Sequence, residues 1–89
     1  MSEISVEKVV VIKNKQGLHA RPAAMFVQIA VKYDSKVTIK KGDEAVNGKS
    51  IMGILMLGAQ YQNKVTVTAE GPDAEAALAE LESYLTKNE

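Results

Sequence analysis

The sequence predicts an α+β fold in which three helices cover one side of a four-stranded antiparallel β-sheet. The first observation is length: 89 residues suffice for one modest core, and we expect the chain, 1–89, to form a single domain. The second is composition, since 46% of the residues are hydrophobic but only 4% are aromatic, so aliphatic side chains must fill the core. The third is an alternation of strand-like and helix-like segments, in which each helix has one apolar face to bury.

The first two predicted elements are a strand and a helix joined by a loop. Residues 4–13 are rich in Val and Ile and end at the polar run 14–17, which predicts a strand followed by a loop. Over residues 20–33, apolar side chains recur every three or four positions, as on one face of a helix. Pro22 suits the first helical turn, where a missing N–H costs nothing. His19 is therefore expected at or next to the N-cap.

Two strands and a short helix are predicted in the middle of the chain. Residues 36–40 alternate between apolar and polar side chains, as a half-buried strand does. Residues 41–43 then turn the chain into a short strand at 44–47. Six of the eight residues in 50–57 are large and apolar, which is too few for a membrane span and too many for an ordinary surface helix.

The last two predicted elements are another strand and another helix. Residues 63–70 alternate again, and the turn 71–73 follows, with Asp73 as a natural N-cap for the final helix. The apolar residues of that helix form one stripe: Ala74, Ala77, Leu78, Leu81 and Leu85.

Charge and composition exclude several classes of function. Eleven basic and eleven acidic residues cancel, so no strong field attracts nucleic acid or an anionic membrane. The chain has no cysteine and one histidine, which leaves no disulfide framework and too few ligands for zinc. No apolar stretch is long enough to span a membrane, and the charged residues within 1–13 are unlike a secretory signal. We therefore expect a cytoplasmic protein without a bound metal.

The chain's one histidine and one arginine, His19 and Arg21, lie two positions apart at the predicted start of the first helix. A helix N-terminus attracts phosphate and disfavours a charged imidazole, so the ring nitrogen keeps a lone pair available as a nucleophile. The N–H groups of Ala20 and Arg21, with the Arg21 guanidinium, could then hold phosphoryl oxygens. The alternative is that His19 only caps the helix and Arg21 is solvated, and a lone histidine favours this alternative.

The surrounding residues favour the functional interpretation of His19 instead. Segment 17–23, Gly-Leu-His-Ala-Arg-Pro-Ala, resembles the active-site motif of the HPr family. HPr proteins are the histidine-containing phosphocarriers of the bacterial phosphoenolpyruvate-dependent sugar phosphotransferase system. The resemblance continues through 46–53 and the order of all seven elements. It implies an open-faced β-sandwich in which the last strand lies between the first two. It also implies that His19 accepts a phosphoryl group on Nδ1 from phosphorylated enzyme I and passes it to sugar-specific transporter components, while Arg21 stabilises the phosphoryl oxygens.

We accordingly expect a monomeric, stoichiometric carrier that needs no cofactor, rather than a stand-alone enzyme. One rival is a family paralogue that acts mainly as a regulatory binding module in carbon or nitrogen control. The presence of His19 argues against this rival, because family members of that type have lost the residue. Another rival is a hydrolase with His19 as general base, but no nucleophile or carboxylate partner stands at motif spacing.

The short helix in 50–57 has more apolar residues than one face can bury. Ile54 and Leu57 lie one turn apart and could face the sheet, whereas the others would point elsewhere as an exposed patch or pack under a loop. Pattern alone leaves both possibilities open, and the family resemblance favours a docking surface shared with the first helix. The predicted docking residues are Ala24, Met25, Ile51, Met52, Leu55 and Met56.

Ser50 has two interpretations. It could be only the N-cap of the short helix. Under the resemblance, it coincides with the regulatory serine of HPr proteins from Gram-positive and some other bacteria, the target of the HPr kinase/phosphorylase. A phosphate there adds about −1.5 to −2 charges beside the docking residues, which should impede enzyme I and create an acceptor for a regulatory partner such as a transcriptional regulator.

Overall fold

The computed structural model describes residues 4–87, which form four strands and three helices. The strands are β1 (Ile4–Val11), β2 (Lys36–Lys41), β3 (Glu44–Asn47) and β4 (Lys64–Gly71). The helices are α1 (Ala20–Ala30), α2 (Ile51–Leu57) and α3 (Ala74–Leu85). The type and order of the seven predicted elements are confirmed.

The sheet has the strand order β1-β4-β2-β3, and every neighbouring pair is antiparallel. The last strand therefore lies between the first and the second, as the family resemblance implies. Val65, Val67 and Ala69 on the central strand β4 are buried, whereas the alternate residues are only half-buried or exposed. Helices cover one face of the sheet and leave the other open, so the predicted open-faced fold is confirmed.

The three helices contribute unequally to the core. α1 buries Phe26, Ala23 and Ala30, and α3 buries the whole predicted stripe from Ala74 to Leu85. α2 buries only Ile54 and Leu57, the face that the sequence predicts. Within residues 4–87, none of the helices has the length and apolar content that a membrane crossing needs.

Two elements end earlier than their sequence patterns suggest. β1 ends at Val11, and the next residue is held by the loop before β4: Ile12 N–H donates to the Asn63 carbonyl at 3.0 Å. α1 ends at Ala30, because Tyr33 N–H donates to the Ala30 carbonyl at 3.2 Å in a tighter three-residue turn. Apolar periodicity outlasts both elements, since the following residues still pack but no longer keep the regular hydrogen bonds.

Asp73 corrects one sequence prediction. It stands at the N-cap of α3, as predicted, but its carboxylate makes no capping hydrogen bond to that helix. It accepts instead from the N–H groups of Asp34 and Ser35, both at 2.9 Å, and from the Ser35 hydroxyl at 2.5 Å. The side chain therefore ties the start of α3 to the segment before β2, a partner that lies far away in sequence.

Candidate active site

His19 is the N-cap residue of α1, with extended backbone angles of φ −81° and ψ −165°. Its carbonyl accepts a hydrogen bond from Ala23 N–H at 2.8 Å, the first bond of the helix. Its exposed side chain makes no capping hydrogen bond. The alternative is therefore right that His19 occupies the N-cap and that Arg21 is exposed, but the exposed imidazole takes no part in the capping.

The N–H groups that follow His19 are open. In the described part of the chain, neither Ala20 N–H nor Arg21 N–H donates to another protein atom, and Pro22 has no N–H to offer. Arg21 is exposed, and no carboxylate in residues 4–87 forms an ion pair with its guanidinium. Two free donors, the partial positive charge of the helix end and an exposed guanidinium two positions along the chain therefore accompany one imidazole, an arrangement suited to a phosphoryl group.

The docking residues predicted on α2 are mostly exposed. Met52 and Met56 are 66% and 70% exposed, Ile51 is 43% exposed, and Leu55 is half-buried. On α1, which packs beside α2, Met25 is exposed and Ala24 is half-buried. The alternative that the α2 side chains lie under a loop is therefore wrong for both methionines and for Ile51.

Ser50 is the N-cap of α2, and its hydroxyl oxygen accepts a hydrogen bond from Gly53 N–H at 3.0 Å. The capping interpretation is therefore confirmed for this residue. It does not exclude modification, because Ser50 is only half-buried and the exposed Ile51 follows it. The preceding residue, Lys49, fastens this turn to the end of α1 by donating from Nζ to the Tyr33 carbonyl at 2.7 Å.

Charge distribution is a feature that whole-chain counting missed. The balanced total hides an acid-free stretch, because residues 8–33 contain no Asp or Glu. Five of the eleven basic residues lie in this stretch, which includes His19. The site therefore stands on a locally basic segment, and a windowed charge count of the sequence would have revealed it.

An open groove of about 700 Å³ adjoins Arg21 between α1 and α3. Its α1 wall includes Arg21, Met25 and Gln28, and its other wall includes Ser83 on α3 and Lys87 just after that helix. Its lining does not include His19. Among the residues that the structure describes, no group of three or more His, Cys, Asp or Glu side chains could hold a metal ion.

Comparison with known proteins gives consistent matches. Residues 6–87 match the family model described as the PTS HPr component phosphorylation site. A crystal structure of the phosphocarrier protein HPr from Bacillus anthracis aligns with a TM-score of 0.89 at 46% identity, covering 91% of this chain and 96% of that one.

Two further relatives match this chain over very different shares of their own length. The HPr-like protein Crh of Halalkalibacterium halodurans is 43% identical over 82 residues, which cover 92% of this chain and 98% of Crh. The multiphosphoryl transfer protein of Vibrio cholerae is 48% identical over 73 residues, which cover 79% of this chain. The match spans only 18% of that longer protein. The matched family, the shared fold and the extent of the alignments together show that this chain belongs to the HPr family of phosphocarriers.

Proposed function

We propose that this protein carries a phosphoryl group from phosphorylated enzyme I to sugar-specific transporter components through a phosphohistidine at His19. The observation that carries the proposal is an exposed imidazole followed by two N–H groups and a guanidinium, none of which has a partner among residues 4–87. The lone pair of His19 Nδ1 attacks phosphorus, and a P–N bond forms as the bond from phosphorus to the donor breaks. The donor recovers that electron pair, and the second transfer repeats the exchange toward the acceptor.

Ala20 and Arg21 both contribute a backbone N–H group in this proposal, and Arg21 also contributes its guanidinium. Their N–H groups are fixed by the helix, so they meet the phosphoryl oxygens without reorganisation. The Arg21 guanidinium is exposed at the end of a long side chain, so it can reach the phosphoryl oxygens as the group arrives and leaves. The protein thus acts as a stoichiometric carrier that needs no cofactor, and the donor and acceptor proteins complete the reaction.

The exposed apolar residues of α1 and α2 form the proposed docking surface for these partners. Methionine side chains are flexible, so Met25, Met52 and Met56 suit a surface that meets different proteins in turn. The basic stretch 8–33 adds a charge that favours partners with acidic surfaces. We propose a cytoplasmic location for the carrier, where enzyme I would have to meet it.

Ser50 is the proposed regulatory site. Its hydroxyl oxygen already accepts from Gly53 N–H, so a phosphate there would keep an acceptor at the start of α2 while adding charge next to Ile51 and Met52. We expect modification by an HPr kinase/phosphorylase to weaken docking of enzyme I and to favour a regulatory partner, such as a transcriptional regulator.

The second candidate is a regulatory module that transfers nothing, which the similarity to Crh, described in Bacillus subtilis as a catabolite repression HPr, favours. Incubation with enzyme I and radiolabelled phosphoenolpyruvate separates the two candidates. A carrier takes up label that survives alkali but not acid, loses it in the His19→Ala variant, and delivers it to a member of a panel of transporter components. A wild-type protein that stays unlabelled at His19 in this incubation, but is phosphorylated at Ser50 in a second incubation with an HPr kinase and ATP, would support the regulatory module.

A further inference from the structure

We propose that Gly17 is a positioning residue for His19, because its missing side chain lets two loops rest backbone against backbone. The site loop, residues 12–18, leads into His19, and the support loop, residues 58–63, connects α2 to β4. This inference rests on the proposed carrier function and concerns what holds the reactive ring in place.

Gly17 has no room for a side chain. Its φ is +66°, in the left-handed region that favours glycine. A Cβ there would lie 2.9 Å from the Cα of Gln60, 3.0 Å from the carbonyl oxygen of Ala59 and 3.3 Å from the nitrogen of Tyr61. All three are backbone atoms, so no side-chain rotation relieves the contact, and one of the loops has to move.

The two loops are also joined by hydrogen bonds on both sides of Gly17. Leu18 N–H donates to the Ala59 carbonyl at 2.9 Å, and Gln62 N–H donates to the Ile12 carbonyl at 2.8 Å. Leu18 is buried and directly precedes His19. A displacement at Gly17 therefore passes through one residue to the imidazole.

Two hydrogen bonds within the support loop stabilise its conformation. Asn63 Oδ1 accepts from Gln60 N–H at 2.8 Å, and Asn63 N–H donates to the Gln60 carbonyl at 2.9 Å. These bonds hold the backbone of Gln60 where Gly17 rests on it. The support loop thus acts on His19 through Gly17, without touching the phosphoryl group.

The decisive experiment compares Gly17→Ala with Gly42→Ala. Gly42 lies in the turn between β2 and β3 at φ +61°, and a Cβ there meets nothing within 4 Å. Both variants impose a similar backbone strain, but only Gly17→Ala separates the loops. Since misplacement of a reacting group by about 1 Å costs up to about 100-fold, we expect Gly17→Ala to lose about tenfold or more of the maximal rate of phosphoryl transfer from enzyme I.

The half-saturating carrier concentration should change little in Gly17→Ala, because the docking residues of α1 and α2 are untouched. The His19 ring resonances in NMR spectra should shift in this variant and stay in place in Gly42→Ala, which should also keep the wild-type transfer rate. A folded Gly17→Ala protein with the wild-type maximal rate would overturn the proposal.

Asn63→Ala tests the same idea if Gly17→Ala fails to fold. It removes the side-chain acceptor of Gln60 N–H and leaves the site loop unchanged. We expect a decrease of about threefold in maximal rate, smaller than for Gly17→Ala because a single exposed hydrogen bond is lost. An unchanged maximal rate in this variant would contradict positioning by the support loop. Wild-type protein that enzyme I cannot label would refute the carrier function itself, whereas labelled wild type with unaffected variants would refute only the role of Gly17.

Discussion

The two longer helices begin in opposite ways. At the start of α1, the side chain of His19 is exposed and makes no capping bond, and the N–H groups of Ala20 and Arg21 have no acceptor among the residues that the structure describes. At the start of α3, the carboxylate of Asp73 is occupied by three donors from Asp34 and Ser35. One N-terminus leaves its polar groups available to a ligand, and the other uses its polar side chain to fasten the fold.

The electrostatics of Asp73 agree with a structural role. The hydrogen bond from the Ser35 hydroxyl, followed by the one from Asp34 N–H, lowers the pKa of the Asp73 carboxyl, and burial opposes this shift only in part. Ser35 itself is fully buried. The contrast teaches that an exposed helix end with unsatisfied donors is the better candidate for chemistry, even where a carboxylate elsewhere has the altered pKa.

A second pair of structural hydrogen bonds involves the residues that follow the C-terminal end of α1. Glu80 accepts from Lys32 Nζ at 2.6 Å and from the Tyr33 hydroxyl at 2.5 Å. The Lys32 bond, followed by the Tyr33 bond, lowers the pKa of Glu80, while the bond to Glu80 raises the pKa of Tyr33. The segment directly after α1 is therefore anchored to α3, whereas the N-terminal end of α1 is exposed.

The largest expected effect comes from His19→Ala. We expect complete loss of labelling by phosphoenolpyruvate and enzyme I, with little change in the free energy of unfolding, because the imidazole has no capping bond to lose. Labelling and urea denaturation, measured on the same preparation, check both parts. Full labelling of this variant would refute the assignment of the site.

Arg21→Ala should have the next largest effect. Loss of a charge-assisted contact to the phosphoryl oxygens should slow transfer by about 10- to 100-fold. Folding should be unaffected, because the Arg21 guanidinium has no ion pair among residues 4–87. Single-turnover labelling gives the rate. Arg21→Lys serves as control, since it keeps the charge but not the planar fork, and recovery of the full rate would show that charge alone suffices.

Asp73→Asn should have the opposite effects to the variants at His19 and Arg21. We expect a lower free energy of unfolding and an unchanged rate of phosphoryl transfer. The folded-state pKa of Asp73 is depressed, so its stabilising contribution is present above the ordinary carboxyl range and is lost as pH falls through the folded-state pKa. Wild-type stability should therefore decline below about pH 4, and the variant should show less of this decline. Urea denaturation from pH 2 to 7 measures it.

Asp43→Asn is the matched control for this experiment. Asp43 is exposed and, within the described residues, makes no hydrogen bond or ion pair, so the same chemical change should leave stability nearly constant. If the free energy of unfolding depended on pH equally in both variants, this would contradict a structural role of the Asp73 carboxylate. A slower phosphoryl transfer in Asp73→Asn would contradict the conclusion that the N-termini of α1 and α3 have separate roles.

The smallest effects are expected at Ser50. Ser50→Ala should lower the free energy of unfolding by about 1 kcal/mol through loss of the N-cap, with no change in transfer. Ser50→Asp keeps an acceptor and adds a charge, so it should lower the rate of phosphoryl acceptance several-fold at subsaturating carrier while retaining more stability. Unchanged acceptance in Ser50→Asp would argue against docking of enzyme I on α2.

Much of the fold was predictable because periodicity and capping are local signals. The apolar repeat and Pro22 placed His19 at the N-cap of α1, and the spacing of Ile54 and Leu57 identified the buried face of α2. The position of β4 between β1 and β2 was implied only by the resemblance to HPr. The apolar pattern extends β1 and α1 beyond their observed ends, because packing continues after the regular hydrogen bonds stop.

The sequence by itself determined which residues are apolar on each element and which residues begin each helix. Only the tertiary structure decided that the Asp73 carboxylate meets Ser35, 38 positions away, and that Gly17 rests on Gln60. The physical reason is that spacing along the chain encodes the face an element buries, whereas the partner on that face depends on strand order and loop packing. The openness of the donors beside His19 has the same origin, since an N–H group remains free only where the fold brings no acceptor to it.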